Sequence, residues 1–234
     1  APPRNDFRLF ERKIKGALSG HHNLVETSGY SFVGAEILDR MGMNEDRELR
    51  LATPLSSEMD RLRRSVVPNI VKNMADNQRF FDSFGIYELG RVYIKEDRKA
   101  RELIAERTMV TGGVFRKKGE ETPAFYHARH IAEGLLDRLD IESYAIDPAR
   151  AGLPAWAHPA RASVITAGGS PAGYVAELHP EIAARFEIRG EVALFDMDCT
   201  ALFTAPRRDK KFADLQRFPE VPFELSVLAG ERTF

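Results

Sequence analysis

Apolar residues at Phe7, Phe10, Ile14, Ala17 and Leu18 recur at the spacing of one helical face, so the chain opens on an amphipathic helix ending near Gly20. Leu24 to Phe32 then reads as a strand. Val67-Pro68 opens a second helix, its proline in the first turn where a missing amide costs nothing, with Val67, Val71 and Met74 on one face. Phe84 to Ile94 alternates as a strand does, and Ile104 to Phe115 gives another, in which Gly112-Gly113 reads as a break. Ala128, Ile131, Ala132, Leu135 and Leu139 form the most regular helical stripe. A connector rich in proline, alanine and glycine runs from Pro148 to Pro159. Ala162 to Ala167 and Ala172 to Leu178 follow it as two strands of a hairpin turned at Gly168-Gly169-Ser170-Pro171. A short helix through Ile182, Ala183 and Phe186 comes next, and Val192 to Asp198 is apolar enough for a buried strand. The polar stretch Thr204 to Lys211 reads as a linker, with a further strand expected from Phe223 to Ala229.

Composition narrows the class without defining it. The 234 residues make one large or two modest domains and can bury roughly 70–75% of the unfolded surface. Hydrophobic residues are 43% and charged residues 29%, and no run of eighteen apolar residues occurs, so a soluble globular chain is expected. The opening Ala-Pro-Pro-Arg-Asn-Asp-Phe lacks the apolar core of a secretion signal, and the lone Cys199 fits a reducing cytoplasm. A net charge of −1 argues against nucleic-acid binding over the whole surface, so any RNA contact is local or supplied by a partner. In sequence, only Arg207, Arg208, Lys210, Lys211 and Arg217 near Phe212 and Phe218 hint at a basic stripe with aromatics.

The candidates for chemistry are thin. Asp196 and Asp198 alternate on one strand, but a magnesium site wants further carboxylates or phosphate close by. His21, His22, His127, His130, His158 and His179 come with no cysteine pairs and no His-Glu-x-x-His spacing. Gly168 to Gly173 lacks the Gly-Lys-Ser/Thr of a phosphate loop and joins two strands. Ser65 and Cys199 have no base at a recognisable spacing. His158 and His179 each precede proline, which favours extended backbone and a role in hydrogen-bonding the ends of the hairpin.

The most specific signal lies between Thr53 and Tyr93. Pro54-Leu55-Ser56 is followed by Leu62-Arg63-Arg64-Ser65-Val66-Val67-Pro68, Asn77-Gln78-Arg79 and Tyr87-Glu88-Leu89-Gly90-Arg91-Val92-Tyr93. His158-Pro159-Ala160-Arg161, Gly173 to Pro180 (with Glu177 and His179) and Arg217 to Pro222 then fall in order. This series resembles the synthetase-like module of the bacterial phenylalanyl-tRNA synthetase beta subunit. Ala160 stands where that family usually has glycine, and Phe223-Glu224 where a basic residue and aspartate are common.

The resemblance implies an α+β fold, an antiparallel sheet flanked by helices like the catalytic domain of class II aminoacyl-tRNA synthetases, in a non-catalytic copy. Residues 1–205 form that core, and 206–234 a linker and the first strand of a truncated ferredoxin-like anticodon-binding domain. The chain is thus a piece of a longer polypeptide. Arginines that stabilise a triphosphate in active synthetases have no counterpart: Gly90-Arg91-Val92-Tyr93 runs into Ile94-Lys95-Glu96, and Val192 to Asp198 ends in acids. The resemblance therefore implies a docking module that supports charging of tRNA(Phe) by an alpha subunit. ATP and magnesium belong to the whole enzyme, with no catalytic residue and no metal ligand here. Phe10, Ile14 and Leu18 are the implied subunit-interface candidates, although the same stripe could cover this chain's own sheet. Pro54, Arg63, Pro68, Glu88, Gly90, His158, Arg161, Gly173, Glu177 and His179 are implied structural positions. A free-standing paralogue binding a nucleotide or amino acid is the alternative, since a fold does not fix function.

Overall fold

The computed structural model describes residues 3–43, 48–54, 56–98, 104–119, 122–149, 151–209, 223–226 and 228. Helix α1 (Asp6–Gly20) starts at Asn5, whose side chain accepts the Arg8 amide at 3.0 Å. After it come β1 (Val25–Glu26), β2 (Phe32–Val33), α2 (Ala35–Arg40), β3 (Leu49–Arg50), β4 (Arg61–Leu62) and α3 (Val67–Asn77). Two long strands follow, β5 (Ser83–Arg98) and β6 (Ile104–Arg116), then α4 (Ala124–Arg138). A meander of β7 (Tyr144–Pro148), β8 (Ala157–Ala167) and β9 (Ser170–Leu178) leads to α5 (Pro180–Arg185), β10 (Glu191–Asp198) and α6 (Cys199–Thr204).

Among the described residues the main sheet has seven strands in the order β1-β5-β6-β10-β9-β8-β7. Every pairing is antiparallel except that of β1 with β5, and β2, β4 and β3 form a small second sheet. Side chains alternate across the strands, so the sheet has two buried faces. Phe195, Ala193 and Val114 face α1, α4 and α6, with Ile14, Leu18 and Leu135 fully covered; Leu194 and Val192 face α3 and Trp156. The Gly168-Gly169 turn of the β8–β9 hairpin has φ of 57° and 78°, the left-handed pair that a two-residue turn needs.

The fold differs from the pattern reading at several places. Leu24 to Phe32 is not one strand: Val25–Glu26 joins the main sheet and Phe32–Val33 the small one, because the backbone at Tyr30 and Ser31 is drawn away to bond Arg63 and Asn69. Gly112-Gly113 does not interrupt β6, which pairs continuously with β10 through both residues. The connector after Pro148 is shorter than expected: β8 already begins at Ala157, and Trp156 beside it is 2% exposed. Finally, the start of the expected linker is docked onto the domain. Arg207 donates to the carbonyls of Leu139 (2.9 Å) and Leu202 (2.7 Å) and lies over the Phe10 ring, while Arg208 donates to Ile141 O at 2.8 Å and to Asp137 at 2.5 Å. Those two arginines are consumed inside the chain and form no basic stripe; Lys210, Lys211, Phe212, Arg217 and Phe218 lie outside the described residues. Of the strand expected at Phe223 to Ala229, residues 223–226 and 228 carry no regular structure, and Phe223 and Leu225 are exposed.

Candidate functional site

Helix α3 begins over the middle of the sheet because Pro68 sits in its first turn and the Ser65 hydroxyl accepts the Val67 amide at 3.1 Å. This spends Ser65 on a helix start. Just before it, Arg63 is 2% exposed and reaches back under the sheet. Its Nη2 donates to Glu88 Oε1 at 2.7 Å, its Nε to Arg91 O at 3.0 Å and its Nη1 to Tyr30 O at 3.3 Å. Gly90 makes room: a Cβ there would stand 2.3 Å from Arg63 Nη2. Glu88 is itself 3% exposed, and its Oε2 has no hydrogen-bond partner. The sequence series around Thr53 to Tyr93 thus encodes a buried ion pair that ties β5, the start of α3 and the Tyr30 loop together.

The second series acts at the other side of the sheet. His158 Nδ1 accepts the amides of Ala160 (3.0 Å) and Arg161 (3.1 Å), and the Arg161 guanidinium pairs with Glu177 at 2.7 Å. His179 Nδ1 accepts the Glu181 amide at 3.3 Å and starts α5. Gly173 lets the β10 backbone approach, since a Cβ would lie 2.1 Å from Asp196 O. Burial raises the Glu177 carboxyl, an effect opposed by Arg161. These residues shape the hairpin and its corner. Pro54 is exposed.

On the α3 face, strand register sets Glu88, Thr111, Asp196 and Tyr174 side by side across β5, β6, β10 and β9. Part of this row floors a cleft of about 440 Å³ whose walls include Met43, Arg64, Pro154 and Trp156. Asp196 accepts the Thr111 hydroxyl at 2.5 Å. Burial pushes its carboxyl up to about 6, the Thr111 bond pulls it back, and the Asp198 charge adds to the rise. Asp198 caps α6, accepting the amides of Thr200 (2.7 Å) and Ala201 (3.2 Å). Among the described residues no three His, Cys, Asp or Glu side chains group as metal ligands.

The cleft does not fit a nucleoside triphosphate. Its floor carries Asp196, Glu48 also lines it, and its arginine, Arg64, is held by Glu96 at 2.5 Å. Arg91 is on the surface, paired with Glu106 at 2.8 Å. A polyphosphate would meet carboxyls where it needs guanidinium groups. Because the folded state holds a proton on Asp196 that the unfolded chain releases near 3.8, stability falls as pH rises from about 4 to about 6, and the full penalty stands above that. Asp196→Asn is therefore expected to be more stable than the parent at pH 7.5, by about 3 kcal/mol at most, with the difference gone below about pH 4 in denaturant titrations.

Phe10, Ile14 and Leu18 are not a free face. They are 8%, 0% and 0% exposed and pack into this chain's own core, Phe10 against Phe203 of α6 at 5.4 Å between ring centroids. A stripe of this kind cannot show from sequence alone which surface covers it. Of the histidines, His22 is packed between His21 and His130, at 4.8 and 5.9 Å, and burial pulls its pKa down to about 4, so it is neutral at pH 7.

An antiparallel sheet with one parallel edge strand, helices on both faces and an open cleft on one of them is the catalytic-domain architecture of class II aminoacyl-tRNA synthetases. Pyrrolysyl-tRNA synthetase from Desulfitobacterium hafniense superposes with a TM-score of 0.69 over 86% of this chain and 69% of that one, at 18% identity, which shows the fold alone. Residues 1–199 match the family model for the phenylalanyl tRNA synthetase beta chain CLM domain, and the chain belongs to that family. It is 30% identical over 233 residues to the phenylalanine-tRNA ligase beta subunit of Dehalococcoides mccartyi, covering 97% of this chain and 28% of that protein. The corresponding subunit of Moorella thermoacetica is 31% identical over 220 residues, and that of Bacillus subtilis 28% over 233. The chain spans 28% or less of the length of these relatives.

Proposed function

We propose that the chain is the non-catalytic synthetase-like module of a phenylalanine-tRNA ligase beta subunit, working in the cytoplasm as a docking body for the catalytic alpha subunit. ATP, magnesium and tRNA(Phe) are then used by the assembled enzyme. The observation that carries this reading is the cleft itself: the synthetase sheet is kept, while its floor presents Asp196 where phosphate-binding arginines would be required. Residues 206–234 lead toward the anticodon-binding domain in this reading.

With Phe10, Ile14 and Leu18 buried, the partner surface moves to the outer side of the same unit. β1 is an edge strand of two residues, so its outer backbone is available for pairing or cover. Val25 on it is 63% exposed and Tyr30 in the following loop 70%. Lys15 of α1 is ion-paired with Glu26 beside them. Large exposed apolar groups grouped at an unpaired sheet edge are what an interface buries. Co-expressed with the alpha subunit of the same organism, the parent chain is expected to elute as a stoichiometric complex, and Val25→Glu with Tyr30→Ala to elute free while retaining its thermal midpoint. Failure of the folded parent to bind, together with ATP or phenylalanine binding by calorimetry, would establish the free-standing paralogue instead.

A further inference from the structure

The cavity in the sheet's cleft is not the largest. One of about 720 Å³ opens at the far end of the sheet, where the C-terminus of α3, the ends of β5 and β6, α2 and the α5–β10 loop converge. It is assembled from four stretches of the chain, at residue 40, 72–82, 115–117 and 186–189. Five cations line it: Arg40, Lys72, Arg79, Lys117 and Arg189. Three carboxylates are present too. Asp76 takes Lys72 at 2.7 Å and Asp82 takes Lys117 at 3.0 Å, while Glu187 pairs with none of the three arginines. Arg40, Arg79 and Arg189 have no carboxylate partner among the described residues.

Two of these arginines, Arg40 and Arg79, are held by other means. Arg40 lies 4.1 Å over the Phe186 ring and donates through Nε and Nη2 to Arg185 O at 3.2 and 2.8 Å. Arg79 lies 4.6 Å over Phe80. Gln78 ties the wall together, donating to Ala75 O and Glu187 O at 3.1 Å and accepting the Arg189 amide at 2.8 Å. Guanidinium groups oriented by rings and carbonyls keep donors for an external anion. Beside them Phe80 and Phe81 are 64% and 54% exposed. Phe81 is anchored through Phe84 (5.8 Å) and Phe115 (5.3 Å from Phe84) into the core, and Phe80 stands edge-on to it at 6.5 Å. Exposed rings anchored in the core, next to arginines that no carboxylate pairs among the described residues, are the two parts of a single-strand nucleic-acid surface: stacking for bases and charge for phosphates.

We propose that this groove binds an unpaired segment of RNA, with Arg79, Arg189 and Arg40 on the backbone and Phe80 and Phe81 stacking exposed bases. The chain's net charge of −1 makes the groove a local concentration of positive charge, not a sample of a basic surface. The proposal deepens the function above by placing an RNA contact on this module, and it takes from that reading only the choice of RNA.

The test uses the 234-residue chain and fluorescein-labelled oligoribonucleotides of about twelve nucleotides, single-stranded and duplex, followed by anisotropy across a salt series from about 50 mM. The single strand is expected to bind more tightly than the duplex, with a log–log salt slope of roughly −2. Arg79→Glu with Arg189→Glu is expected to weaken binding at least about tenfold and to flatten the slope by about 1.4. Phe80→Ala with Phe81→Ala is expected to weaken it about fivefold or more and leave the slope unchanged. Arg12→Glu, on the exposed side of α1, should change nothing, and circular dichroism melts confirm that each variant folds. Absence of binding at the lowest salt, an equal loss in Arg12→Glu, or displacement of RNA by poly-glutamate at matched charge would overturn the proposal, the last by assigning the groove to an acidic protein. Co-purification of the alpha subunit with the groove variants separates the two readings, since docking at β1 does not involve this surface.

Discussion

Arg63→Leu is expected to cost about 3–5 kcal/mol of folding stability, among the largest effects of any single change in this chain. The guanidinium is 2% exposed and makes one charged and two backbone hydrogen bonds, so its loss strands the Glu88 carboxylate, 3% exposed, with no counter-charge. Stranded buried charges, more than lost attraction, set the size of such effects. Replacing both partners, Arg63→Leu with Glu88→Leu, should therefore be less destabilising than the arginine change alone, although it too takes the Arg63 bonds from the Arg91 carbonyl and from the Tyr30 carbonyl, which keeps Asn69 at 3.2 Å. Urea unfolding of the two single variants and the double variant gives the coupling directly. A loss below about 1 kcal/mol for Arg63→Leu would show that the pair does not hold this part of the fold. A functional consequence follows from the bond to Tyr30. With that tie gone and only Asn69 and the residue-63 backbone amide holding the loop, co-purification with the alpha subunit should weaken in the Arg63 variant as well, although Arg63 itself reaches no surface.

What could be read in the sequence divides along physical lines. Periodic stripes predicted α1, α3 and α4 well, because each has one face in the core, while β5 showed in its alternation and β10, buried on both faces, in its unbroken apolar run. The glycine- and proline-marked hairpin was equally legible, since two left-handed residues in a row leave few alternatives. Short elements were not: α2, α6, β3, β4 and β7 have too few residues for a period to show. Which surface covers a stripe is a tertiary matter, so Phe10, Ile14 and Leu18 marked the helix but not whether this chain or a partner covers it, and in this chain they lie in its own core. The Arg63–Glu88 pair was marked by its motif, but its burial was not, because burial there depends on the empty volume at Gly90. The basic groove left no linear trace beyond Arg79-Phe80-Phe81, its remaining cations coming from residues 40, 72, 117 and 189.

Gly112 shows how one residue type supports opposite readings, and it yields the second large effect. In a strand, glycine marks either a break or a close approach by something large. Here it is the approach: the Phe195 ring, fully buried on β10, lies across Gly112 on β6, so closely that a Cβ would be 2.2 Å from the ring. Phe195→Ala is expected to cost about 3–5 kcal/mol by leaving a cavity between the sheet and the helices α1, α4 and α6. Gly112→Ala should cost about 1–3 kcal/mol, because the strand on which Phe195 sits is paired on both sides and cannot step back. If the cost of Gly112→Ala comes from the ring, it must shrink to below about 1 kcal/mol once Phe195→Leu has removed the far edge of that ring, giving a coupling of opposite sign to that of a lost contact. A cost unchanged in the Phe195→Leu background would place it in the strand backbone instead. The pairing of a glycine on one strand with an aromatic on its neighbour is thus measurable as a unit, in the sheet that supports both the β1 edge and the groove.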